Sequence, residues 1–158
     1  MTVTDQNLGD GATGKALSLL ALRVTTAGLL FWWGLVKALN TGVGTSVSNR
    51  FYGGYFSIDW LLISFGWLQV VAAVLIAIGA LRVPMLWFQL AVNVFVALSV
   101  WQSLIDPFWL WMPGDKPGTV NALFYPSLIV VAASWLSLVF RDQDRFAVDA
   151  MLGGRGAR

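Results

Sequence analysis

Apolar residues fall into four long blocks separated by short polar breaks, at about residues 16–39, 60–81, 85–105 and 122–140. A hydrocarbon core about 30 Å thick takes roughly 20 apolar helical residues to cross. The blocks therefore predict membrane spans at about 17–39, 60–81, 84–105 and 122–140. The breaks carry matching stop signals. Arg82-Val83 is so short a link that the second and third spans must form a hairpin, and Pro84 stands where a first helical turn tolerates proline. Asp106-Pro107 ends the third span, Pro126 opens the fourth, and the run Arg141-Asp142-Gln143-Asp144-Arg145 stops it. Residues 1–14 and 146–158 lack apolar periodicity and read as flexible tails, and the first of them lacks the features of a signal peptide. Residues 40–58 and 106–121 read as loops.

Backbone polar groups in lipid must be satisfied within each span, so the fold class is all-α: a polytopic membrane protein built as an antiparallel four-transmembrane-helix bundle in one domain. Its interior faces are marked by polar and small residues at helical spacing. Arg23, Ala27, Leu30, Gly34 and Lys37 form one seam, and Gly66, Gln69, Ala73 and Ala80 a second. Gln89, Asn93, Val96, Val100 and Ser103 form a third, and Ser127, Ser134 and Ser137 a fourth.

Composition narrows the chemistry. The chain is 58% apolar and 11% charged, with a net charge of +2 too scattered for a nucleic-acid surface. It has no Cys and no His, and all its acids are Asp. Disulfides, thiolate nucleophiles, Ser-His-Asp catalysis and imidazole-ligated metals are excluded, and activity by the chain alone is not expected. Gly42-Val43-Gly44 lacks the context of a dinucleotide loop. Lys15, Arg23, Arg82, Arg141, Arg145, Arg155 and Arg158 fall on one side of the predicted bundle, against Lys37, Arg50 and Lys116 on the other. That bias predicts cytoplasmic termini.

The nine tryptophans divide by depth. Trp32, Trp33, Trp60, Trp101, Trp109 and Trp111 fall toward the outer boundary, and Trp67, Trp87 and Trp135 deeper or nearer the inner side. An interfacial belt is favoured over an aromatic ligand cage. The segment Phe108 to Met112 suits either anchoring on the outer leaflet or docking against a partner helix.

Candidate sites follow from depth. Gln69 and Asn93 both fall near the midplane, where a mutual hydrogen bond is favoured over a ligand contact. At the outer end Lys37, Asp59, Arg50, Asn121 and Tyr125 converge, either around an interfacial Lys37–Asp59 ion pair or as the mouth of a polar pocket for a quinone carbonyl or an anionic substrate. Lys37, Asp59, Gln69, Gln89, Asn93 and Tyr125 are thus the ligand candidates. At the inner end Arg23, Arg82, Arg141 and Arg145 are expected to anchor the protein to anionic head groups.

The run Leu22-Arg23-Val24 through Gly28 to Gly34-Leu35-Val36-Lys37 resembles the first span of DoxX-type membrane proteins. Gly66-Trp67-Leu68-Gln69 through Gly79-Ala80-Leu81-Arg82 resembles their second, with Gln69 where a carboxylate is frequent and Ala73 where a second glycine is common. The resemblance spans roughly residues 23–103. It implies a four-span bacterial inner-membrane protein tied to redox systems: an accessory or anchoring subunit of a quinone-linked complex. Its expected contacts are lipid, other membrane subunits and a quinone or lipid ligand, with no nucleic acid. The alternatives from the residues are a small transporter or channel using the polar seam, and a purely structural subunit.

Overall fold

The computed structural model describes residues 3–106, 110–111 and 125–153, which are helical with no strand among them. The helices are α1 (Val3–Leu39), α2 (Thr41–Phe51), α3 (Asp59–Ile78), α4 (Arg82–Ser99), α5 (Trp101–Ile105), α6 (Tyr125–Val139) and α7 (Val148–Gly153), with a 3-10 turn at Arg141–Gln143 between the last two. Three of them, α1, α3 and α4, are long and apolar enough to cross a membrane. The fourth expected span is helical over 15 residues, Tyr125–Val139, a length of about 22 Å, and residues 122–124 lie outside the described set. The third expected span is not continuous: α4 stops at Ser99 and α5 restarts after Val100, whose ψ of 18° breaks the helical path.

The seams set the packing. Arg23, Ala27, Leu30 and Gly34 of α1 are buried, as are Gly66, Gln69 and Ala73 of α3, Gln89 and Asn93 of α4, and Ser127, Ser134 and Ser137 of α6. The opposite faces stay apolar and uncovered, with Trp60, Leu68, Val71 and Val74 of α3 and Leu98 of α4 all exposed. Apolar exposure on that scale marks a surface meant for lipid or another chain.

The tightest contact is between α1 and α3. A Cβ on Gly34 would lie 2.8 Å from the Gly66 carbonyl oxygen, and one on Gly66 would lie 2.7 Å from both the Gly34 carbonyl oxygen and the Ala38 nitrogen. Backbone meets backbone there, which only glycine permits. Further along the same pair of helices, Arg23 lies against Gly79. Gly79 ends α3 with φ of 76°, while its N–H donates to the Ile76 carbonyl and that of Ala80 to the Leu75 carbonyl, the paired C-terminal bonds that a left-handed glycine closes.

Two aspartates clasp the end of the molecule at that turn. Asp144 forms a buried ion pair with Arg23, and Arg82 approaches the same carboxylate at 3.7 Å. Asp149 accepts from the backbone N–H groups of Leu81 and Arg82 at 3.0 and 2.8 Å, capping α4. That cap holds Leu81 at φ of 50°, a conformation unfavourable for a branched side chain. The Asp149 N–H in turn donates to the Gly79 carbonyl at 3.0 Å. Residues 148–153, expected in a loose tail, are therefore helical and docked, with Ala147 fully buried against Gly79. At the other terminus α1 begins at Val3, inside the segment expected to be a tail.

The expected head-group anchors are revised accordingly. Arg23 is 2% exposed and committed to Asp144, with Nη2 also donating to the Phe146 carbonyl at 3.3 Å. Arg82 is half-buried and donates to the Arg141 carbonyl at 2.9 Å. Arg141 and Arg145 are exposed, while Arg155 and Arg158 lie outside the described residues.

These contacts can be weighed by substitution. Gly66→Val should lower the unfolding free energy by about 1–3 kcal/mol in a detergent titration, because the atoms it strikes are backbone. Gly28→Ala, where a Cβ meets nothing within 4 Å, should be neutral or stabilising. Asp144→Leu should cost about 3–5 kcal/mol by stranding the Arg23 charge, and combining it with Arg23→Met should recover part of that loss.

Candidate functional site

One turn beyond the glycine crossing on each helix stand Lys37 and Gln69. The close approach of α1 and α3 brings them together, and Lys37 Nζ donates to Gln69 Oε1 at 3.0 Å. A longer contact of 3.4 Å reaches the Trp33 carbonyl. The ammonium also stands over two ring faces, 5.6 Å from the centroid of Trp33 and 6.0 Å from that of Phe65, within range of cation–π attraction. Among the described residues no carboxylate pairs with it.

These groups lie on the wall of a cavity of about 460 Å³ between α1, α2, α3, α4 and the start of α6. The size suits a drug-sized or lipid-headed molecule. Its lining is mostly aliphatic and aromatic, with Leu30, Val47, Phe88 and Val92 among the apolar contributors. The polar contributors are Lys37 and Gln69 on one side and Asn93 and Ser127 on the other, with Ser48 from α2 and Tyr52 just after it.

Residues 41–51, expected within a loop, form the cavity's cover. Gly44 lets α2 settle on Leu62, whose side chain lies 3.1 Å from where a Cβ would be. Past α2 the chain turns at Gly53 and Gly54, with φ of 60° and 80°. Ser48, 1% exposed, ties that turn down: its carbonyl accepts from Tyr52 and Gly54, and its hydroxyl accepts from the Phe56 N–H at 3.0 Å. The turn delivers Tyr52 and Phe56 onto Phe95 of α4, with ring centroids 5.6 to 5.9 Å apart. Burial in this cluster raises the Tyr52 phenol above its ordinary pKa.

The sequence candidates separate. Lys37, Gln69 and Asn93 line the cavity. Asp59 is exposed at the start of α3, and the Lys37–Asp59 pair does not form, since Gln69 holds the ammonium instead. The Gln69–Asn93 bond does not form either: Asn93 Nδ2 donates to the Gln89 carbonyl one turn back, at 2.9 Å. Gln89 is fully buried behind the cavity, where its Nε2 donates to Ser134 Oγ at 2.8 Å and so joins α4 to α6. Tyr125 is exposed, and Asn121, Trp109 and Lys116 lie outside the described residues.

Trp32, Trp60, Trp67, Trp87, Trp101, Trp111 and Trp135 are all exposed, whereas Trp33 turns in beneath Lys37. Residues missed from the sequence are Trp33, Phe65 and Ser48. Trp33 and Phe65 precede Lys37 and Gln69 by one turn, so helical spacing from those two candidates is the signal that finds them. Asp106, read only as a helix stop, is 1% exposed and accepts from the N–H groups of Leu110 and Trp111 at 2.8 and 2.7 Å.

The two members of the central pair should respond differently to removal. Gln69→Leu strands a cation in an apolar wall and should cost about 1–3 kcal/mol in reversible detergent unfolding. Lys37→Met removes the charge itself and should change stability by less than about 1 kcal/mol. No protein-family description, curated protein or solved structure matches the chain.

Proposed function

We propose that this chain is a DoxX-like, four-span antiparallel bundle of the bacterial inner membrane with cytoplasmic termini. It acts as a non-catalytic accessory subunit of a quinone-linked redox complex. The antiparallel order is supported by the contacts at each end: Gly34 meets Gly66 at one end and Arg23 meets Gly79 at the other, and Gln89 meets Ser134 at one end while Arg82 meets the Arg141 carbonyl at the other. The exposed apolar faces of α3 and α4 support a lipid setting. The excess of Lys and Arg at the Arg23–Arg82–Arg141 end supports the orientation.

The observation that carries the functional reading is the Lys37–Gln69 pair on the wall of an apolar cavity. A quinone has a flat apolar ring, carbonyl oxygens able to accept from Lys37, and an apolar tail suited to the remaining lining. Holding that head in a chain with no Cys and no His supplies binding and orientation, with electron transfer left to a partner subunit. Extraction from membranes into polymer-bounded nanodiscs, followed by native mass spectrometry and solvent extraction, tests this. The expected result is a co-purifying redox subunit and a quinone, with Lys37→Met losing the quinone. A chain that runs alone and carries no quinone contradicts it.

A further inference from the structure

If the cavity is a ligand seat, its charge balance says more about the occupant than its shape does, and any selection by charge rests on that reading of the cavity. Lys37 brings three N–H donors, of which only the bond to Gln69 Oε1 at 3.0 Å is short. With Oε1 so engaged, Gln69 has its Nε2 as a second donor, and among the described residues no group accepts from it. The wall thus presents a cation and an amide donor side by side.

Among the described residues no carboxylate compensates the cation. Asp144 and Asp149 are committed to Arg23, Arg82 and the α4 cap at the far end of α1 and α3. Asp59 is exposed, and Asp106 accepts from the chain after α5. What surrounds the ammonium is a neutral amide oxygen, a peptide carbonyl and two ring faces. In a low-dielectric cavity such a site gains far more from a charged acceptor than from a neutral one.

We propose that the cavity selects amphiphiles whose head carries an anionic oxygen, either a fatty-acid carboxylate or the ionised hydroxyl of an acidic quinone, over neutral heads of the same shape. The anionic oxygen sits between Lys37 Nζ and Gln69 Nε2, and the apolar body lies against Leu30, Phe88 and Val92.

The test uses the full chain in nanodiscs of zwitterionic phosphatidylcholine at pH 7, with binding read by quenching of tryptophan fluorescence and corrected against empty nanodiscs. The probes are an alkylated 2-hydroxy-1,4-naphthoquinone, anionic at this pH, and its neutral methyl ether. The anion should bind about tenfold more tightly, the gain expected of one charge-assisted contact. Lys37→Met should remove that difference. Gln69→Leu, which keeps the charge, should weaken both probes and preserve the preference.

Competition identifies the source. Displacement of the quinone by a fatty acid but not by its methyl ester supports the selection for lipid carboxylates. A persistent anion-over-ether gap with no displacement by the fatty acid supports it for acidic quinones. Equal binding of anion and ether to the unaltered chain overturns the charge selection while leaving the ligand seat standing. Binding of neither probe, with no fatty-acid effect, removes the seat itself.

Discussion

The contact on which the rest depends is the crossing of α1 and α3 at Gly34 and Gly66, where each helix touches the other's backbone. Lipid tails are as apolar as leucine, so helices there are not driven together by burial, and close van der Waals approach of small residues takes over that role. The crossing fixes two helices at a separation no side chain at those positions would allow. Everything one turn away is then determined. Ala38 lies against Gly66, Lys37 reaches Gln69, and Trp33 and Phe65 flank the ammonium between them.

The two ends of this helix pair treat charge in opposite ways. At the Gly79 end the cations meet carboxylates: Asp144 serves buried Arg23 and half-buried Arg82, and Asp149 caps α4 while approaching Arg82 at 3.8 Å. Those partners come from the segment after α6, so the C-terminal part of the chain closes that end of the bundle. At the Lys37 end the cation's partners among the described residues are neutral dipoles and ring faces, and it is set into the wall of an apolar cavity covered by α2 and the Tyr52–Phe56–Phe95 cluster. Charge is thus met by carboxylates at one end of the helix pair and, among the described residues, by neutral groups at the other.

Much of this was legible in the amino-acid order. Hydropathy located the long apolar helices, and helical spacing picked out the inward seams, including Gly34, Gly66, Lys37 and Gln69. Depth along a helix can be read from sequence; which neighbour a side chain turns toward cannot. Lys37 and Asp59 share a depth, but the chain between them folds into α2 rather than a simple loop, and Asp59 stays on the surface. Gln69 and Asn93 share a depth too, but each found a nearer partner, Gln69 in Lys37 and Asn93 in the carbonyl of its own helix. The Arg23–Asp144 pair spans 121 positions, beyond the reach of any local pattern. The docking of α7 was hidden for the same reason, since its six residues carry no amphipathic signal and are held by one aspartate and one backbone bond to the Gly79 turn.

The dependence of the Lys37–Gln69 pair on the glycine crossing is open to direct measurement in bilayers. With only three lysines in the chain, substituting Lys15→Arg and Lys116→Arg and labelling with 15Nζ-lysine leaves Lys37 as the sole source of a side-chain 15N signal. Solid-state dipolar recoupling between that nitrogen and the 13C-labelled side-chain amide of Gln69 should show a short-range contact in this background. The contact should vanish when Gly66→Val is added, although the protein still inserts. Absence of the coupling before Gly66 is changed, or its survival afterwards, would contradict the dependence.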